Sequence, residues 1–142
     1  MIDRFNIRVY GVLLREGKIL VSHENIDGFK MMKLPGGGLE FGEGPIDCLI
    51  REYKEELDLE ITVSELLHCT EGFVKSAFRK NEQVLAIHYL VQSADEITKY
   101  ETVQETKVGR ENIHKFTWEV LDKELLSQFT FEMDREALSI LT

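Results

Sequence analysis

Apolar side chains recur along this chain at two spacings, and the changes of spacing mark out its elements. From Arg4 to Leu14 the alternation is imperfect and both faces look apolar, which predicts a strand covered on both sides. Arg15-Glu16-Gly17-Lys18 reads as a turn, and Ile19 to His23 returns as its hairpin partner. Glu24 to Lys30, with Asp27 and Gly28, reads as a loop; Met31 to Leu34 then forms a short strand feeding the turn Gly36-Gly37-Gly38. After it the spacing becomes helical. Ile46, Leu49, Ile50, Tyr53 and Leu57 fall at i, i+3, i+4, i+7 and i+11, one buried stripe of a helix. Pro45 suits its first position, and Asp47 complements the helix dipole in its first turn.

Glu60 to Val74 alternates in part and predicts one or two strands, with Lys75 to Glu82 as a basic, polar hairpin tip. Val84 to Val91 predicts a strand with Val84, Ala86, His88 and Leu90 on one face and Leu85, Ile87, Tyr89 and Val91 on the other. His88 there reads as a structural histidine. Ser93 to Asn112 is long and polar and carries Asp95, Glu96, Glu101, Glu105 and Glu111, which suits either a binding loop or a small hairpin. Phe116 to Trp118 predicts a last strand. Helix-prone residues follow from Leu121, with Asp134 as the cap of a final helix carrying Leu138 and Leu141. Strands around a central helix, with another helix at the end, predict an α/β/α sandwich built on a mixed β-sheet. The whole of 1–142 is expected to form one domain.

Composition narrows the class of partner. A net charge of −9 argues against non-specific nucleic-acid or anionic-membrane binding, so an anionic substrate has to be attracted locally. Cys48 and Cys69 are too few for a disulfide framework, and Cys48 reads as small packing within the helix. With no signal peptide and no run of about 18 apolar residues, the chain is expected to be cytoplasmic.

The chemistry concentrates on the helix edge. At about 100° per residue, Glu52 and Glu56 project within about 40° of each other beside the apolar stripe, with Glu55 on the other flank of Glu52. Like charges at i,i+4 cost a few tenths of a kcal/mol, more when partly desolvated. A magnesium ion would relieve that crowding, since it takes oxygen ligands, needs few carboxylates and leaves places for water and phosphate oxygens. The three glycines let the backbone pass close to whatever the carboxylates hold.

Gly37, five residues, Glu43, seven residues and then Arg51-Glu52-Tyr53-Lys54-Glu55-Glu56 resembles the Nudix box, G-x5-E-x7-R-E-U-x-E-E-x-G-U with U a bulky aliphatic. Every charged position matches, and Leu59 fits the last U. Tyr53 departs at the first U and Asp58 at the glycine. Tyr53 lies on the buried stripe, where an aromatic changes packing only; Asp58 ends the helix, where glycine takes the left-handed conformation freely.

The resemblance implies the same fold and a hydrolase acting on a nucleoside diphosphate linked to some group X. It implies that Glu52, Glu55 and Glu56 bind magnesium (manganese as a substitute), with the Gly36 carbonyl as a further ligand. Arg51 and Glu43 then brace the carboxylates. The general base stays open between Glu52 and a loop acid such as Glu101 or Glu105. Phe73, Phe78, Tyr89 and Trp118 are aromatics a base could stack on, each more simply read as core. Lys75, Arg79 and Lys80 either meet phosphates or solvate a hairpin tip. A nucleoside triphosphate or modified dNTP is the favoured substrate. ADP-ribose or a nucleotide sugar is the alternative, and a nucleotide sensor without catalysis the alternative of another class. An RNA-end pyrophosphohydrolase is a further alternative, which the acidic balance argues against; no nucleic-acid or membrane partner is expected, and a homodimer is left open.

Overall fold

A computed structural model describes residues 1–105 and 111–142, with 104, 105 and 111 described by backbone alone. β1 (Arg4–Arg15) runs through the middle of the sheet and explains its apolar run: Val9 and Leu13 pack toward one helical layer, Tyr10 and Val12 toward the other. It pairs in parallel with β6 (Glu82–Gln92) from Arg4–Glu82 to Leu13–Val91, and only Leu14 and Arg15 pair with β2 (Lys18–Ile26). β5 (Thr62–Cys69) pairs with the far edge of β6, while β8 (Glu111–Val120) and β7 (Glu101–Glu105) extend the sheet beyond β2. β3 (Phe29–Lys33) pairs with β2, and β4 (Gly36–Gly38) with β1.

One face of this mixed sheet is covered by α1 (Pro45–Leu57), the other by α2 (Lys123–Gln128) and α3 (Glu132–Ser139). The expected α/β/α sandwich is the architecture found. Among the described residues no helix is long and apolar enough to cross a membrane.

Three expectations need correction. Glu24 to Lys30 is not a loop: β2 continues to Ile26, and Asp27-Gly28 make a tight turn into β3, both at positive φ (50° and 88°). An Asp-Gly pair is the residue choice such a two-residue hairpin turn demands. Asp134 is not the cap of α3, since Phe131 holds that position; its carboxylate is buried and accepts from Leu34 N at 3.4 Å, with His88 Nε2 2.8 Å away. The stripe of α1 is buried only at Leu49, Tyr53 and Leu57, whereas Ile46 and Ile50 are 46% and 38% exposed. His88 is structural, as the strand pattern suggested, and Ser93 to Asn112 does contain half of the β7–β8 hairpin.

Tyr53 sits over Gly11, where an added Cβ would stand 2.6 Å from its hydroxyl. That hydroxyl has no hydrogen-bond partner among the described residues, and burial drives its pKa up. An unpaired buried hydroxyl costs about 1–3 kcal/mol. Tyr53→Phe is therefore expected to raise the stability by about 1 kcal/mol in a denaturant titration; a loss of that size would show that the hydroxyl has a partner.

Asp58 ends α1 in the left-handed conformation (φ 51°, ψ 40°), its N–H bonded to the Lys54 carbonyl at 3.0 Å. A non-glycine residue there is strained by about 1 kcal/mol. The Lys54–Asp58 ion pair at 3.0 Å is exposed and returns less than that. Asp58→Gly is expected to leave the melting temperature no lower and turnover unchanged; a clear drop in either would refute the strain.

Candidate active site

The site is assembled where α1, the glycine turn and the β2–β3 hairpin meet. Arg51 is its organiser. Its Nε and Nη2 donate to the two oxygens of Glu43 at 2.9 and 2.6 Å. Its Nη1 donates to Glu52 Oε1 at 2.9 Å and to Glu55 Oε2 at 3.4 Å, and Nη2 also reaches the Gly38 carbonyl at 3.1 Å. One guanidinium thus ties the loop before α1, the turn and the helix together, using the fork geometry that suits arginine to paired carboxylate oxygens. The hydrogen bonds from Arg51 hold Glu43 down at about 2. Cys48 fills the space beneath, its Sγ 3.5 Å from the Gly38 carbonyl; burial pushes its thiol up to about 12, so it is no nucleophile at neutral pH.

Glu52 lies directly over Gly37, so close that a Cβ on Gly37 would overlap its carboxylate. Gly36, at φ +151°, lets the same backbone press against the Val9 carbonyl, again with no room for a side chain. Glu56 is half-buried, one helical turn on from Glu52. Burial raises its carboxyl to about 8; Glu52 and Glu24 push the same way and Lys33 opposes them. Glu55 is exposed. The structure therefore brings Glu52, and Glu56 one turn on, to the glycine turn at Gly37, next in sequence to Gly36, with Glu43 and Arg51 bracing Glu52 and with Glu55 at the rim.

Two groups in this place were not foreseen. Glu24, Glu56 and His114 each present a ligand atom, all within 4.8 Å of one another. Glu24 pairs with His114 across β2–β8 and bonds Lys33 Nζ at 2.8 Å. His114 Nε2 meets Ser22 Oγ at 2.7 Å, and burial, with Lys33, lowers the ring to about 4, so it is neutral at pH 7. No local pattern reveals this pair; it forms only once β2 and β8 are in register. The Asp27-Gly28 turn was the one signal that Glu24 belongs to a strand.

Four cations, Arg8, Lys33, Arg51 and Lys99, face six carboxylates, Glu24, Glu40, Glu43, Glu52, Glu55 and Glu56. The excess is negative and the donors are oxygens, which fits a divalent cation. Burial first, with the neighbouring Glu52 and Glu24 adding to it, makes Glu56 hold its proton when no counter-ion is present.

Two cavities flank the carboxylates and share Glu24. One, of about 450 Å³, is bounded by Glu55, Glu56, Lys99 and His114. The other, of about 280 Å³, has apolar walls of Tyr10, Met31, Phe78 and Met133 with Arg8 and Lys33 near Glu24. Phe73 and Phe78 are not core, being 67% and 59% exposed, and Phe78 stacks edge-on against Phe29. Tyr89 and Trp118 pack against the core beneath α1. Lys75 lines the smaller cavity, and Arg79 and Lys80 are exposed on the hairpin tip. Glu101 borders a further cavity with His23 and Glu24; the side chain of Glu105 lies outside the described residues.

The NUDIX domain family model matches residues 4–135. Over 40 residues the chain is 48% identical to an RNA pyrophosphohydrolase of Bartonella clarridgeiae, a match covering 28% of this chain and only 23% of that protein. Its fold is similar to a MutT NUDIX hydrolase from Burkholderia pseudomallei (TM-score 0.74, 22% identity, 99% of this chain and 100% of that one). It is also similar to a NUDIX hydrolase from Nitrosomonas europaea (TM-score 0.72, 19% identity, 94% and 86%).

Proposed function

The chain belongs to the Nudix domain family, and on that premise we propose that it hydrolyses a phosphoanhydride bond in a nucleoside diphosphate linked to a group X. The observation that carries this reading is the Arg51 fork holding Glu43 and Glu52 beside Glu56, against a glycine turn with no room for side chains. Glu52, Glu55, Glu56 and the Gly36 carbonyl would hold magnesium, or manganese in its place. When bound, such an ion neutralises phosphate oxygens and supports in-line attack by water on phosphorus.

The chain's own side chains do the rest. Arg51 and Glu43 fix Glu52, which would orient or deprotonate the attacking water, with Glu101 and Glu105 as the other candidate bases. Lys99, donating to the Glu55 carbonyl at 3.2 Å, stands where a phosphate chain would cross the larger cavity. Arg8 and Lys33 offer cations on the path into the smaller one, whose apolar walls would take the nucleoside. That pairing of cavities favours a compact nucleotide, a nucleoside triphosphate or modified dNTP, over ADP-ribose or a nucleotide sugar. The partial likeness to an RNA pyrophosphohydrolase supports keeping 5′-triphosphorylated RNA as a substrate to test, although the charge of −9 supplies no positive track for RNA.

A release assay with magnesium across nucleoside triphosphates, nucleotide sugars, dinucleoside polyphosphates and 5′-triphosphorylated RNA separates these readings. The triphosphates are expected to be cleaved fastest. If none of the four is cleaved and one of them raises the melting temperature, the chain is a sensor and the hydrolase reading is lost.

A further inference from the structure

The α1 face of the sheet is only half covered. Side chains at odd positions of β1 point to this face, and beyond Val9 they run out into solvent: Ile7 is 36% and Phe5 72% exposed. Across the parallel pairing Ile7 stands beside Leu85, itself 36% exposed, and Leu66 of β5, opposite Tyr89, is 58% exposed. The helix continues the surface with Ile46 and Ile50 on the flank away from Glu52 and Glu56. The loop between β4 and α1 closes it: Leu39 N bonds the Ile7 carbonyl at 2.8 Å, and two residues on Phe41 is fully exposed.

We propose that this face is the interface through which two copies of the chain form a symmetric dimer. Area is the first argument. At about 150–250 Å² for a whole aromatic side chain, Phe5 and Phe41 alone present on the order of 350 Å². The five aliphatic side chains bring the face to roughly 700 Å², above the 300–600 Å² that is the largest patch on a typical monomer and close to the ~800 Å² each partner gives to a stable interface. Charge is the second. Two chains of −9 repel, and the seven side chains named here carry no charge, so the centre of the contact sets no carboxylates against each other, exposed Glu40 and Asp47 lying at its edge. The same net charge turns the face away from anionic lipid. A self-complementary patch meeting itself about a two-fold axis closes the assembly at two.

The partner would cover Phe41, which sits between Glu40, 3.8 Å from Arg51, and Glu43, 2.6 Å from it. The dimer contact thus borders the brace of the active site without using any residue of it.

Sedimentation velocity tests this over about 1–100 μM, where an interface of this size associates measurably. The expected species has twice the 16.5 kDa chain mass. Phe5→Glu and Phe41→Asp, each placing a charge in the contact, are expected to weaken association at least tenfold. Phe41 packs against nothing that a folded monomer needs, so its variant keeps the melting temperature of a monomeric wild type. A wild type that stays monomeric at the highest concentration overturns the proposal, as does a dimer that neither substitution weakens.

Discussion

Glu56→Gln is expected to lower cation-dependent hydrolysis by roughly 100- to 10,000-fold while the protein stays folded. Glutamine keeps the size and a hydrogen-bonding oxygen but removes the charge, so the geometry around Glu52 and Glu24 has no reason to collapse. A pH series supplies the control. The carboxyl of Glu56 is raised by burial from 4.5 to about 8, so without a cation the folded state holds its proton after the unfolded state has released it. Wild-type protein in chelator therefore loses stability from this group as pH rises between 4.5 and about 8. The glutamine variant cannot lose that proton and lacks this decline, so above pH 8 its melting temperature equals or exceeds that of the wild type. Added magnesium raises the melting temperature of the wild type and not of the variant. Unchanged turnover in the variant, or full wild-type activity in excess chelator, removes the cation from the mechanism.

The adjacent glycines separate folding from chemistry. Gly37→Ala places a methyl group where the Glu52 carboxylate lies. The end of that side chain can swing aside, so the fold survives, but it leaves the position Arg51 holds it in, and turnover is expected to fall about 100-fold or more, as a misplacement of about 1 Å can do. Gly36→Ala is different. Its Cβ would meet the Val9 carbonyl and the Tyr10 backbone, neither of which can move without opening the β1–β4 pairing, and φ +151° strains any L-residue. That variant is expected to lose several kcal/mol or fail to fold. Thermal scans beside rate measurements on both proteins distinguish the cases. A Gly37→Ala protein as active as the wild type would show that Glu52 works from elsewhere, and a Gly36→Ala protein of normal stability would refute the close approach.

How much of this was legible depends on where each interaction lives. The helix and its acid edge were readable because Pro45, Asp47, the apolar stripe and the carboxylates are set by spacing within a few turns. Asp58 was readable too, since a helix end has a stated backbone demand. The stripe misled at Ile46 and Ile50, because periodicity shows which residues share a side and not whether the neighbouring layer extends far enough to cover them. Asp134 misled for another reason: a carboxylate near a helix start has a local use, and the buried contact with His88 that won is made across the sheet. Glu24 and His114 were beyond reach, since they meet only through the β2–β8 register. Lys33 likewise looked like an ordinary strand residue until its pairing with Glu24 placed it indoors.

The parallel partnership of β1 sets the order in which this molecule can be made. Ten register pairs join β1 to β6 and two join it to β2. On the ribosome the first strand therefore waits for residues synthesised long after it. At about 5–20 residues per second, the stretch from Arg15 to Gln92 takes on the order of ten seconds to emerge. Throughout that interval β1 has as pairing partners only β2, at its last two residues, and the three residues of β4. The committing event in biogenesis is accordingly expected to be the arrival of β6, since a non-local parallel pairing forms slowly.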